Sequence, residues 1–164
     1  MDLIKNLVEN EFEEMEGEVY FNYLKKDISI LFDKEVPMEY VVKNINYLNS
    51  LDESVILSLC EYSNRFCQRM MHNYPDVSYP TGLNQINNPI EILNFMEILR
   101  LKVDMYDDDS ISVLNLSGSC DWDEDNGIQW LIKDDKVVYV GPWDDLNFWY
   151  ANLDNEFTNY VIMK

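Results

Sequence analysis

The chain has 164 residues, nearly half of them hydrophobic, with 31 Asp plus Glu against 12 Lys plus Arg and a net charge of −19. That length fits one α+β or similar domain over 1–164, with enough burial for a real core, so the chain is not a disordered acidic tail. Its charge repels phosphate backbones and anionic lipid, which argues against a basic-groove nucleic-acid binder or a membrane-surface protein, and the natural complement is a basic protein partner.

No apolar run approaches a membrane span. The opening MDLIKNLVENEFEEMEGE has no basic region followed by an apolar one, so it does not read as a signal peptide. Cys60, Cys67 and Cys120 make an odd count, which suits reduced thiols in a cytoplasm.

Residues 9 to 18 hold six glutamates and no Lys or Arg, and 1–17 is expected as an acidic helix or a loose arm. VYFNYLKKDISILFD predicts two strands around Lys25-Lys26-Asp27, with Val19, Phe21 and Tyr23 on one face and Ile28, Ile30 and Phe32 on the facing one. After Pro37 the period changes. Val41, Ile45 and Leu48 follow helical spacing, and Ser50 with Glu53 fits a capping box for a second helix carrying Val55, Leu59, Tyr62 and Phe66. Cys60 and Cys67 widen the apolar side of that helix as two small buried residues. Residues 72 to 88 read as an irregular excursion packed by Tyr74 and Tyr79. Asn88 and Pro89 then read as the cap and first position of another helix.

LRLKVDMY predicts a half-buried strand with Leu99, Leu101, Val103 and Met105 pointing one way. A turn at Asp107-Asp108-Asp109 leads to three more strands, ISVLNLSG, IQWLI and KVVYVG, the last two joined at Asp134-Asp135. Beyond Pro142, Leu146, Trp149, Leu153, Phe157 and Tyr160 match a helical stripe. The expected fold is α+β: an antiparallel sheet, made of an N-terminal hairpin plus a C-terminal four-strand meander, with helices packed on it.

The stretch SGSCDWDEDNG packs Asp121, Asp123, Glu124 and Asp125 around Trp122. Asp121, Asp123, Asp125 and Gly127 imitate the opening of a calcium loop. The glycine comes one place late, however, and Ile132 stands where the closing glutamate belongs, so no metal site is assigned and a domain that binds calcium weakly through the carboxylates at 121–125 stays open only as an alternative. A carboxylate pair beside Trp122, Trp130 and Trp143 could serve a hydrolase, but a dense acidic turn is usually solvated. No common nucleophile, metal-protease or nucleotide motif is present. His72 stands in a loop without a nucleophile beside it in sequence. No cofactor and no catalytic residue is assigned.

Protein binding fits better. An aromatic side chain ringed by carboxylates suits a patch that grips Lys and Arg. The expected partner-binding residues are Asp121, Trp122, Asp123, Glu124 and Asp125, with Trp143, Asp144 and Asp145 repeating the chemistry. Trp122 and Trp143 could instead fill the core. The motif also has a structural reading, in which Asp123 or Asp125 accepts backbone N–H bonds in a tight turn and Gly127 starts the next strand. A homodimer using exposed aromatics is a further alternative.

The segment CDWDEDNGIQWLIKDDKVVYVG resembles a pattern in small bacterial domains of uncharacterised function. In these a Trp-Asp-x-Glu-x-Gly-like turn precedes a strand, a short turn and a strand ending in glycine. Here these are Trp122 to Gly127, Ile128 to Ile132 and Val137 to Gly141. Those families usually carry His where Asn126 stands. Residues Ile28 through Phe66 resemble their N-terminal portion. Some relatives are associated with polymorphic toxin systems, so the resemblance implies an immunity-type role without a catalytic mechanism.

Overall fold

The computed structural model describes residues 2–163. Seven strands form one sheet in the order β1 to β7. They are β1 (Lys5–Glu9), β2 (Glu14–Phe21), β3 (Lys26–Asp33), β4 (Met96–Val103), β5 (Val113–Cys120), β6 (Ile128–Lys133) and β7 (Lys136–Pro142). Two helices, α1 (Met38–Asn49) and α2 (Glu53–Asn73), lie between β3 and β4. The fold is α+β, with the expected hairpin and the expected four-strand meander. The two halves meet through a parallel pairing of β3 with β4, and the other pairings are antiparallel. The long helical connection between β3 and β4 makes that parallel return geometrically accessible.

The acidic opening is not a helix or loose arm. Lys5–Glu9 pairs with β2 across a bulge. In β2, Glu14, Glu16 and Glu18 alternate with Met15, Gly17 and Val19, a strand period that the glutamate count obscures. Gly17 admits the close approach of β1, because a Cβ there would lie 2.7 Å from Ile4 Cγ2 and 2.8 Å from the Lys5 carbonyl. The hairpin turn falls at residues 22 to 25, two to three residues earlier than expected, so that Lys26 already pairs with Phe21. Tyr23 therefore sits in the turn and is exposed.

Asp52, rather than Ser50, caps α2, its side chain accepting from the Ser54 N–H. Ser50 instead closes α1 by donating to the Tyr47 carbonyl at 3.0 Å. Asn88 and Pro89 do start a helical segment, but it is a 3-10 helix over Pro89–Asn94. In β4 a bulge between Ile98 and Arg100 turns Leu99 outward, and Met105 lies beyond the strand, so both are exposed. Among the described residues no helix is long and apolar enough to cross a membrane.

The helices and the inner side chains of the sheet share one core, from Val19 and Phe32 through Leu59 and Phe66 to Leu116 and Trp130. Trp130 Nε1 donates to Ser63 Oγ on α2 at 2.8 Å, satisfying a polar atom at full burial. Cys60 and Cys67 are buried in this core.

The C-terminal stretch is not a helix. Four asparagines, Asn147, Asn152, Asn155 and Asn159, each accept a backbone N–H two residues on, at 3.0 to 3.1 Å. Such local bonds compete with helical ones. Phe157, on the expected apolar stripe, is 83% exposed. The segment is instead fastened by buried amides. Asn159 Nδ2 donates to the carbonyls of Val138 and Leu153, both at 2.9 Å. Near its start, the segment lies over β5 and β6 on the sheet face opposite the helices.

Candidate functional site

The acidic turn between β5 and β6 is built by Asp123. Its carboxylate accepts from the Asn126 N–H at 3.4 Å and from Asn126 Nδ2 at 3.0 and 3.2 Å, and its carbonyl accepts from the Gly127 N–H at 2.9 Å. Gly127 has φ 72° and packs against the Gly118 carbonyl, which an added Cβ would approach to 2.6 Å. The structural reading of this motif therefore holds at Asp123 and Gly127. With the turn fastened this way, Asp121, Glu124 and Asp125 project to solvent. Among the described residues their carboxylates make no hydrogen bond and no ion pair.

Trp122 does not belong to that exposed group. It is 3% exposed and packs edge-on against Phe66, with ring centroids 5.8 Å apart. It is a core residue, which corrects the expectation of an aromatic anchor open to a partner. Its indole Nε1 is a buried polar atom without a hydrogen-bond partner. Trp143 is the open ring, at 49% exposure.

Two concave surfaces flank the turn. On one side, a cleft of about 560 Å³ separates the turn from the loop bearing Tyr74, Val77 and Tyr79. Tyr79 braces that loop by donating from its hydroxyl to the Tyr74 carbonyl at 3.0 Å and the Met70 carbonyl at 3.2 Å. On the other side, a groove of about 390 Å³ runs between Glu124, Asp125 and Asn126 and the residues Arg100, Ser117 and Trp143. The fold thus brings Glu124 and Asp125 to the same groove as Trp143, although eighteen positions separate Asp125 from Trp143 in the chain.

A buried polar network holds the second aromatic stretch in place. Gln129 Nε2 donates to Asn115 Oδ1 at 3.0 Å and to the Leu146 carbonyl at 2.9 Å, while Gln129 Oε1 accepts from the N–H groups of Leu146 and Asp144. Asn115 Nδ2 reaches Asp104 Oδ2 at 2.9 Å. Asp145 is occupied by Lys102, whose Nζ lies 2.9 Å away, and Asp144 is exposed. Burial lowers the Lys102 pKa, but the hydrogen bond that Lys102 donates to Asp145 and the Asp104 charge outweigh it and leave the pKa raised. Burial also raises the Asp104 carboxyl above its ordinary value, against the opposing effects of Asn115 and Lys102.

The network itself was missed in the sequence. Its signal is a polar residue inside each of two otherwise apolar runs, Asn115 in VLNL and Gln129 in IQWLI.

The thiols are poor nucleophiles in this setting. Burial pushes Cys60, Cys67 and Cys120 each up to about 12. Among the described residues no group of three or more His, Cys, Asp or Glu is arranged to hold a metal ion.

The family described as Domain of unknown function (DUF6985) matches residues 3–148, and the chain belongs to it. No curated protein and no solved structure matches the chain.

Proposed function

We propose that this member of the family is a non-catalytic binding domain that captures a basic protein through the acidic turn at 121–125 and the neighbouring stretch at 143–145. The observation that carries the reading is the state of Asp121, Glu124 and Asp125: three exposed carboxylates beside two concave surfaces, none engaged by a cation among the described residues. Carboxylates left free in this way gain most from an incoming Lys or Arg, and the net charge of −19 speeds the encounter from a distance. The finer form of the proposal is an immunity-type inhibitor. A toxic nuclease must be basic to hold phosphate, and an acidic partner can cover that surface.

The test is capture from the lysate of the native host at low and high salt, using the full chain as bait. Wild type should retain a basic protein in a fixed ratio, and retention should fall with salt. A triple variant, Asp121→Asn/Glu124→Gln/Asp125→Asn, should lose it while keeping the wild-type melting temperature, because none of the three carboxylates is bonded within the fold. Equal retention by the triple variant would sink the proposal. Trp122→Ala and Asp123→Ala are unsuitable controls, since one opens the core and the other undoes the turn.

A further inference from the structure

The open part of the sheet face opposite the helices places a cation where its own neighbours do not reach it. Arg100 lies between Ser29 of β3 and Ser117 of β5 in the strand register. Lys5, Lys26, Lys34 and Lys102 each have a carboxylate within 4.0 Å, whereas Lys25, Arg69 and Lys136, like Arg100, have none among the described residues. Arg100 has no hydrogen bond, ion pair or aromatic stack among the described residues, although Glu124 and Asp125 line the same groove of about 390 Å³. Trp143 forms another wall and stacks on no other ring. A smaller recess of about 140 Å³ shares Arg100, Ser117 and Trp143 and adds Lys102 and Asp145.

We infer that this groove binds a neutral carbohydrate. Glu124, Asp125 and the overall charge disfavour an anion, while Arg100 offsets one carboxylate and leaves a lining of mixed donors and acceptors that suits hydroxyl groups. The groove offers a guanidinium fork as donor, carboxylates as acceptors, and serine hydroxyls that do both. It also offers an exposed indole face. A purely apolar ligand would strand the polar groups, whereas a pyranose ring presents hydroxyls around its rim and a flat C–H face to the indole. The volume falls in the usual range for small-ligand sites, roughly 300–1,000 Å³. The wall is also held in advance. The Trp143 N–H donates to the Gly127 carbonyl at 3.4 Å, and the next residues are tied to Gln129. A backbone already fixed at Trp143 narrows where the ring can go and so lowers the cost of ordering it on binding.

The experiment screens the full chain against a broad glycan array, then titrates the strongest soluble oligosaccharide while following tryptophan fluorescence. Saturable binding, nearly indifferent to salt, is expected. Trp143→Ala and Arg100→Ala should each weaken it by roughly tenfold or more, by loss of the stacking face or the donor fork. Tyr74→Ala, in the cleft on the other side of the turn, should leave it unchanged. An array without a bound glycan, or binding that survives both groove substitutions, would overturn the inference. So would competition by free phenylalanine at equal strength, which would mark a zwitterion site. The groove shares Glu124, Asp125 and Trp143 with the protein-binding reading, but Arg100 belongs to the groove alone. Arg100→Ala should leave capture of a basic protein intact, so the two fail separately.

Discussion

Two tryptophans sit in nearly the same local sequence and end on opposite sides of the sheet. Trp122 lies between Asp121 and Asp123, and Trp143 precedes Asp144 and Asp145, yet the first is 3% exposed and the second 49%. The difference follows from strand parity. Leu114, Leu116 and Cys120 of β5 point into the core, and Trp122 continues that even series past the strand end. In β7, Tyr139 and Gly141 stand opposite Leu131 and Gln129, on the face away from the helices, and Trp143 continues that odd series. A flanking aspartate says little about where a tryptophan goes. The face that its strand has already assigned says much more.

The largest break in that comparison is expected from Trp122→Ala. Removing a buried indole from beside Phe66 should cost about 3–5 kcal/mol, read as a lower denaturation midpoint with an unchanged slope. If the variant were as stable as wild type, the placement of Trp122 in the core would be wrong. The unpartnered Nε1 gives a finer check, because Trp122→Phe should cost much less than Trp122→Ala: it gives up no hydrogen bond and keeps the edge contact with Phe66.

Gln129→Ala attacks the other tryptophan indirectly. It removes the acceptor for the Asp144 and Leu146 N–H groups and a donor to the Leu146 carbonyl. Leaving such groups without partners costs about 1–3 kcal/mol. Amide exchange at Leu146 should quicken more than exchange in β2 or α2, since the loss is confined to the strap over β5 and β6. Uniform acceleration across the sheet would mean that Gln129 stabilises the whole fold rather than that strap.

These two regions also mark how far the sequence could be read. The meander, the hairpin and both long helices follow from apolar periods that repeat several times, and such repeats survive small errors at their ends. The strand at Lys5–Glu9 and the first half of β2 were not expected because six glutamates between 9 and 18 suggested solvation, although EMEGEV in β2 alternates like any strand. The C-terminal helix was expected from five spaced apolar residues. Four asparagines in the same stretch favoured local turns, and they prevailed once buried side chains could fasten the chain to β7. The exposed carboxylates at 121, 124 and 125 were legible as a cluster. The groove that Glu124 and Asp125 share with Arg100 and Trp143 was not, because only the sheet register brings β3, β4 and β5 side by side there.

Asp104→Asn should have a smaller effect, of opposite sign. Burial raises the Asp104 carboxyl above its ordinary 3.8, so the folded state holds that proton more tightly than the unfolded one. Stability therefore falls as pH rises from the unfolded value through the folded one, and at neutral pH the ionised group is a net cost. Asparagine can still accept from Asn115, and Lys102 keeps Asp145. The variant should gain less than about 1 kcal/mol at neutral pH, and the gain should vanish in acid. A variant less stable at neutral pH would show that the Lys102 pairing outweighs burial.

Trp143→Ala should have the smallest effect on stability, within about 0.5 kcal/mol, since half the ring is open and its backbone, not its side chain, is tied to the sheet through Gly127, Asp144 and Leu146. The same substitution should abolish the fluorescence response to an oligosaccharide in the groove. Stability and binding therefore divide between the two tryptophans: Trp122 should carry the first and Trp143 the second. A double variant tests this division. If Trp143 truly stands outside the core, its cost should add to that of Trp122→Ala without coupling, because the two rings line opposite faces of the sheet and share no partner. A measurable coupling between them would mean that the acidic turn passes strain from one face to the other, and the groove would then have to be treated as part of the core's mechanics rather than as a separate surface.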